Sequence, residues 1–350
     1  MSEQDVFAKP SPSGAPAAKP DDASAVAPSR RKLLSGSAGR SVGLVVALVV
    51  LCIVGYITGG ERFASSDNAM TILRLAAALG VLSIGMTFVI TGGGIDLSVG
   101  SVMGLTTVWA STLATQTMAQ DTHWIVMVGV ALAVGTACGL INGVLVAYGK
   151  VVSFIATLAM MVAARGLAEM IANRQTQQVK VKPFLEFFRA NILGIPALVW
   201  MFVLVAVAGW VLLNRTTFGR RTIAVGGNPE AARLAGVNVK RHTMYLYGLA
   251  GLSAGIAGVM MLVRTTAGSS TTGTGYELDA IAAVVVGGTL LIGGRGTIGG
   301  TVLGVLIFTT LTNVFTLNNM STSAQSVAKG VIIVVAVLLQ QRFAARGRAT

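Results

Sequence analysis

The chain has 350 residues, of which 53% are apolar and only 11% charged, and its mean hydropathy is +0.75. Those proportions exclude an ordinary water-soluble domain and describe an all-α polytopic membrane protein. The net charge of +13 would suit a nucleic-acid binder, but no basic stretch is interleaved with aromatics, and cytoplasmic loops of membrane proteins are themselves rich in Lys and Arg.

Residues 1–40 are rich in Pro, Ala and Ser and too polar to bury a core, so they read as a disordered cytoplasmic tail. The first apolar run opens near Val42, behind Arg30, Arg31, Lys32 and Arg40. It reads as an uncleaved signal anchor with the tail inside. Apolar runs then predict spans near 42–58, 70–90, 97–114, 123–147, 151–172, 195–213, 242–263, 278–292, 297–316 and 325–340, about ten in all. They make one transmembrane domain over residues 41–341, followed by a cytoplasmic C-terminal tail at 342–350. Cys52 and Cys138 fall inside apolar runs and read as small hydrophobes. In this topology the segments facing the cytoplasm hold seventeen of the 26 Lys and Arg residues, so both termini are expected inside.

The stretch TGGGIDLS at 91–98 has an echo at 272–279, TGTGYELD. Each follows one span and precedes an unusually short, glycine-interrupted one, and in the ten-span topology the two face opposite sides. That is the pattern of two inverted-topology repeats whose short, broken helices line a transport pathway. A common turn followed by a helix cap would give the same eight residues. On the transport reading, Gly93, Gly94, Asp96 and Ser98 in the first copy, and Gly275, Glu277 and Asp279 in the second, line the path or gate it. Glycine permits the bend. Asp96, at the first turn of the next helix, can accept backbone N–H bonds there.

Glycines recur every four residues at 135, 139 and 143 and again at 296, 300 and 304, a spacing that lets helix backbones approach in lipid. Tight packing and a mechanistic role both fit it. Intramembrane charges are expected at Arg74, at Arg165 and Glu169, which at i,i+4 either pair with each other or contact the substrate, and at Lys329, which can snorkel to the interface.

The segment 214–241 is the one sizeable inner loop, and it contains a complete short helix. Asn228 suits the N-cap, Pro229 the first turn, Glu230 the positive dipole end, and Gly236 a left-handed stop. So short a helix is marginal alone in water, so its capping suggests that it docks on something. Arg220, Arg221 and Arg233 give the loop a basic face suited to headgroups or to an acidic partner groove.

No energy source is encoded. GVLVAYGK at 143–150 has the wrong spacing for a phosphate loop, and GRGTIG at 294–299 lacks a surrounding strand and soluble helix. His123 and His242 stand isolated at span ends, and no catalytic set or metal cluster assembles.

GIDLSVGS at 94–101, FIATLAMM at 154–161, GGNPEAARLAGVNV at 226–239 and GTGYELDAIAAVVVGGT at 273–289 resemble the signature stretches of the ribose-type permease subunits of bacterial ATP-binding cassette monosaccharide importers. The resemblance covers nearly all of the chain after residue 40. It implies a homodimer in the lipid of the bacterial inner membrane, with the path at the subunit interface. A periplasmic sugar-binding protein would dock outside and cytoplasmic ATPase subunits inside, so that ATP is bound by the partner and this chain holds no cofactor or metal. It also implies that residues 228–236 form the coupling helix, with Asn228, Pro229, Glu230, Arg233 and Gly236 at the ATPase interface and Arg220 and Arg221 at its edge. The competing expectation is an ion-coupled secondary sugar transporter in which Asp96 binds a proton or cation.

Overall fold

A computed structural model describes residues 37–346, so most of the expected N-terminal tail and the last four residues lie outside the described residues. Long apolar runs form the long helices. They are α1 (Ser37–Gly59), a turn α2 (Glu61–Ala64), α3 (Ser66–Thr91), the short α4 (Val99–Ala110), the surface helix α5 (Leu113–Asp121), α6 (Ile125–Ala147) and α7 (Ser153–Ala172). After the two-residue strand β1 (Gln177–Gln178) come α8 (Lys182–Arg189), β2 (Asn191–Ile192), β3 (Ile195–Pro196), α9 (Ala197–Arg215), α10 (Thr217–Gly227), α11 (Pro229–Leu234) and α12 (Val239–Thr265). The chain closes with β4 (Ala267–Gly268), α13 (Tyr276–Val286), α14 (Ile298–Leu317) and α15 (Thr322–Arg346). The strands make two minimal antiparallel pairs, β1 with β4 and β2 with β3.

Among the described residues seven helices, α1, α3, α6, α7, α9, α12 and α14, are long and apolar enough to cross a membrane. Two of the other three expected spans are met by shorter elements. Helices α4 and α13 have 12 and 11 residues, about 18 and 17 Å at 1.5 Å per residue, too short for a hydrocarbon core of roughly 30 Å. The third falls in α15, Thr322–Arg346.

Of these seven, α3 and α12 are innermost, with 78% and 83% of their apolar windows buried, against 22% for α7. The halves repeat one packing scheme with partners exchanged. Helix α6 lies on α12 and α14 on α3, while α4 packs on α7 and α12, and α13 on α15 and α3. The glycine spacing serves these crossings. A Cβ on Gly135 would stand 2.8 Å from Gly255 N, and one on Gly139 2.9 Å from Gly251 Cα, so backbones meet directly between α6 and α12. On α14, Gly300 and Gly304 do the same against Gly287 and Ala283. Lipid tails remove the hydrophobic drive between helices, so such close dispersion contacts and interhelical hydrogen bonds hold the bundle. Of the latter, Asn68 on α3 and Asn313 on α14 exchange amide bonds at 3.2 and 2.7 Å, and Thr87 Oγ1 meets Thr301 Oγ1 at 2.7 Å.

Candidate functional site

The first break follows α3. Gly92, Gly93 and Gly94 donate back to Phe88 O, Ile90 O and Val89 O at 3.0, 2.9 and 3.0 Å, so the last turn closes on itself rather than continuing. Gly93 reverses the chain at φ 86°, a conformation an L side chain resists. Asp96 is 1% exposed, and its Oδ1 accepts from Ser98 N at 2.9 Å and from Ser98 Oγ at 2.6 Å. The acid thus organises the entry to α4, but from the turn three residues before Val99 and not from the first turn of the helix, where it was expected. Asn142 on α6 completes the group by donating to Ser98 Oγ at 2.9 Å. Sequence reading passed over Asn142. A fully buried amide in an otherwise apolar span was the available signal.

The second break follows α12. Thr266 and Gly273 turn the chain at φ 57° and 81°, and Gly275 caps α13 at φ 82°. Glu277 folds back over this start, with Oε1 accepting from Gly275 N at 3.3 Å. Its Oε2 is buried without a hydrogen-bond partner and lies against Gly100, where a methyl group would collide with it. Asp279 turns the other way and pairs with Lys329 Nζ of α15 at 2.8 Å, both side chains about one fifth exposed. Lys329 therefore does not snorkel; it ties α15 to α13.

The expected Arg165–Glu169 ion pair is absent. Arg165 instead donates to the carbonyls of Ser270 and Thr272, the latter at 3.0 Å, and Glu169 forms an ion pair with Arg174 at 3.5 Å. Bare carbonyls in the non-helical loop need donors at membrane depth, and the guanidinium supplies them. At the opposite end of the same helix, Ser153 Oγ accepts from Ile95 N at 3.4 Å and Thr157 Oγ1 donates to Ile95 O at 3.4 Å. Helix α7 thus touches both breaks. The three acids stay apart: Asp96 with Ser98, Glu277 against the first turn of α4, and Asp279 with Lys329. Arg74 is exposed.

Residues 214–241 contain two helices, where the sequence reading placed only the second. Phe218, Thr222 and Val225 at i, i+4 and i+7 were the overlooked face of α10. Phe218 packs on Phe88 and His242 at 6.1 and 4.6 Å between ring centres, and Thr222 Oγ1 bonds His242 Nε2 at 2.9 Å. His242 is therefore not isolated. Helix α11 is built as expected. The Asn228 side chain accepts from Ala231 N at 3.0 Å, Pro229 opens the first turn, and Gly236 stops the chain at φ 83°. Glu230 and Arg233 pair on its outer surface, and the Arg233 donors hold the carboxyl below the usual glutamate range. Leu234 is 75% exposed beside them, and Arg220 and Arg221 are exposed on α10.

Two broken helices inside a polytopic bundle, with a capped helix presented at its surface, define a membrane permease. Residues 68–337 match the family described as the branched-chain amino acid transport system, permease component, and the chain belongs to that family. It is 39% identical over 303 residues to the ribose import permease protein RbsC of Escherichia coli (strain K12), covering 85% of this chain and 92% of that protein. Over 306 residues it is 41% identical to the RbsC of Bacillus subtilis (strain 168), covering 87% and 92%. The L-arabinose permease protein AraH of Azospirillum brasilense is 37% identical over 324 residues, covering 92% and 94%. No solved structure matches.

Proposed function

We propose that the chain is the membrane-spanning subunit of an ATP-driven importer that carries a monosaccharide, a pentose such as ribose, from periplasm to cytoplasm across the bacterial inner membrane. The observation that carries this reading is the near end-to-end similarity to ribose and L-arabinose permeases. Two copies form the pore, with both termini in the cytoplasm. A periplasmic binding protein delivers the sugar, and separate ATP-binding subunits do the hydrolysis, so this chain has no ATPase site or cofactor of its own. The exposed, capped α11, with an ion pair and an uncovered Leu234 on its outer side, supports a docking role for Asn228, Pro229, Glu230, Arg233 and Gly236, with Arg220 and Arg221 at the edge.

The broken helices act as gates around the path, with Gly93, Gly94, Asp96 and Ser98 on one and Gly275, Glu277 and Asp279 on the other. Sugar selectivity belongs to the binding protein. ATP drives transport by favouring one of two permease states over the other. The test is ATP hydrolysis and uptake of labelled ribose and L-arabinose by the permease reconstituted in lipid with its ATP-binding and sugar-binding components. Loaded binding protein should stimulate hydrolysis, and Glu230→Ala combined with Arg233→Ala should abolish that stimulation while the complex still assembles. Sugar uptake driven by an ion gradient without the ATP-binding component would overturn the reading.

A further inference from the structure

Three chain segments meet backbone to backbone beside α11. The first is the turn 91–94 that ends α3. The second is Gly226–Gly227, the last residues of α10, separated from Pro229 of α11 only by Asn228. The third is Gly293–Gly294, in the connection between α13 and α14. Gly294 N donates to Thr91 O at 2.8 Å. A methyl group on Gly226 would overlap Thr91 O and stand 2.6 Å from Gly294 N. One on Gly293 would stand 2.6 Å from Gly226 O and 2.9 Å from Gly93 Cα, and one on Gly294 would stand 2.8 Å from Gly227 Cα.

Around Gly226, Gly293 and Gly294 the nearest neighbours are all backbone atoms, so no side chain there can change rotamer to absorb a displacement. The junction also joins both halves of the fold, since 91–94 leads into the first broken helix while 293–294 follows the second. Beside it lies a cavity of about 300 Å³ lined by Gly92, Gly94, Val225, Pro229, Leu246 and Tyr247. That space leaves the glycine turn room to move. We propose that Gly226, clamped between Gly93, Gly293 and Gly294, is the positioning joint through which displacement of α11 reaches both broken helices at once. The inference rests on the importer reading, and it adds the route by which the docked helix acts on the gates.

The experiment measures labelled ribose and L-arabinose moved per ATP hydrolysed in the reconstituted complex. A merely structural defect lowers uptake and hydrolysis by the same factor, whereas a broken joint lowers their ratio. Gly226→Ala should lower that ratio at least tenfold. Gly129→Ala, at a position where a Cβ meets nothing within 4 Å, should leave it at the native value. A second variant inserts one glycine between Gly227 and Asn228, which adds slack without new bulk and should give the same tenfold loss even if Gly226→Ala fails to accumulate. A native ratio in the insertion variant, or in an accumulated Gly226→Ala, overturns the joint. A native complex that moves neither sugar with ATP overturns the importer reading instead.

Discussion

The carboxylate of Asp96 and the amides of Asn68 and Asn313 are polar groups whose value lies in having partners, because an orphaned buried donor costs about 1–3 kcal/mol. Asp96→Ala removes both bonds to Ser98. We expect it to lower the thermal unfolding midpoint in detergent and to abolish uptake, while Asp96→Asn, which keeps an oxygen in the same place, retains most of the stability. Sugar uptake by Asp96→Ala at native expression would remove the residue from the gate. Asn68→Ala strands Asn313 and should destabilise by about 1–3 kcal/mol, whereas replacing both by Leu should cost less than either single change. A cycle of the three variants measured by thermal unfolding checks this.

Among the elements, α13 is short, and the Lys329–Asp279 pair is its ionic tie to α15. Partial burial puts the expected coupling at about 1–2 kcal/mol, between exposed and buried pairs. Each single alanine should reduce uptake, and the exchange of Asp279→Lys with Lys329→Asp should restore it. On α11 the sign follows from the depressed Glu230 carboxyl. Its pairing with Arg233 is present above the ordinary glutamate value and is lost as pH falls through the lowered one. A carbon-13 titration of Glu230 should therefore move upward toward the ordinary glutamate value in Arg233→Ala. How legible these elements were depended on what holds them. The caps of α11 are local, so Asn228, Pro229 and Gly236 spelled them out in sequence. Helix α10 owes its place to Phe88 and His242, more than a hundred and about twenty residues away respectively in the chain, and stood hidden in what read as loop. The Arg165 contacts with Ser270 and Thr272 were equally hidden, because an adjacent Glu169 offered a nearer partner by spacing alone.

For the whole molecule, the glycine seams decide whether the halves can close on each other. Gly251→Ala places a methyl group 2.8 Å from Gly139 Cα. It should cost about 1–3 kcal/mol by overpacking, read as a lower unfolding temperature in detergent, while Gly166→Ala, in open space, should lose nothing. The most buried of the seven long helices, α3 and α12, are nevertheless as long and apolar as the exposed α7. Their apolarity is not needed where they finally sit, since neighbours there could satisfy polar groups. It is needed earlier. Asn68 and Asn313 lie 245 residues apart, and at ordinary synthesis rates the second follows the first by roughly 12–50 s. Throughout that wait Asn68 has only its local bond to Phe63 O, at 2.9 Å, and the hydrocarbon side chains of α3 hold the helix in the membrane. Its sequence is therefore a record of the nascent chain as much as of the finished permease, and the late arrival of Asn313 is the moment at which the first half learns that the second has been made.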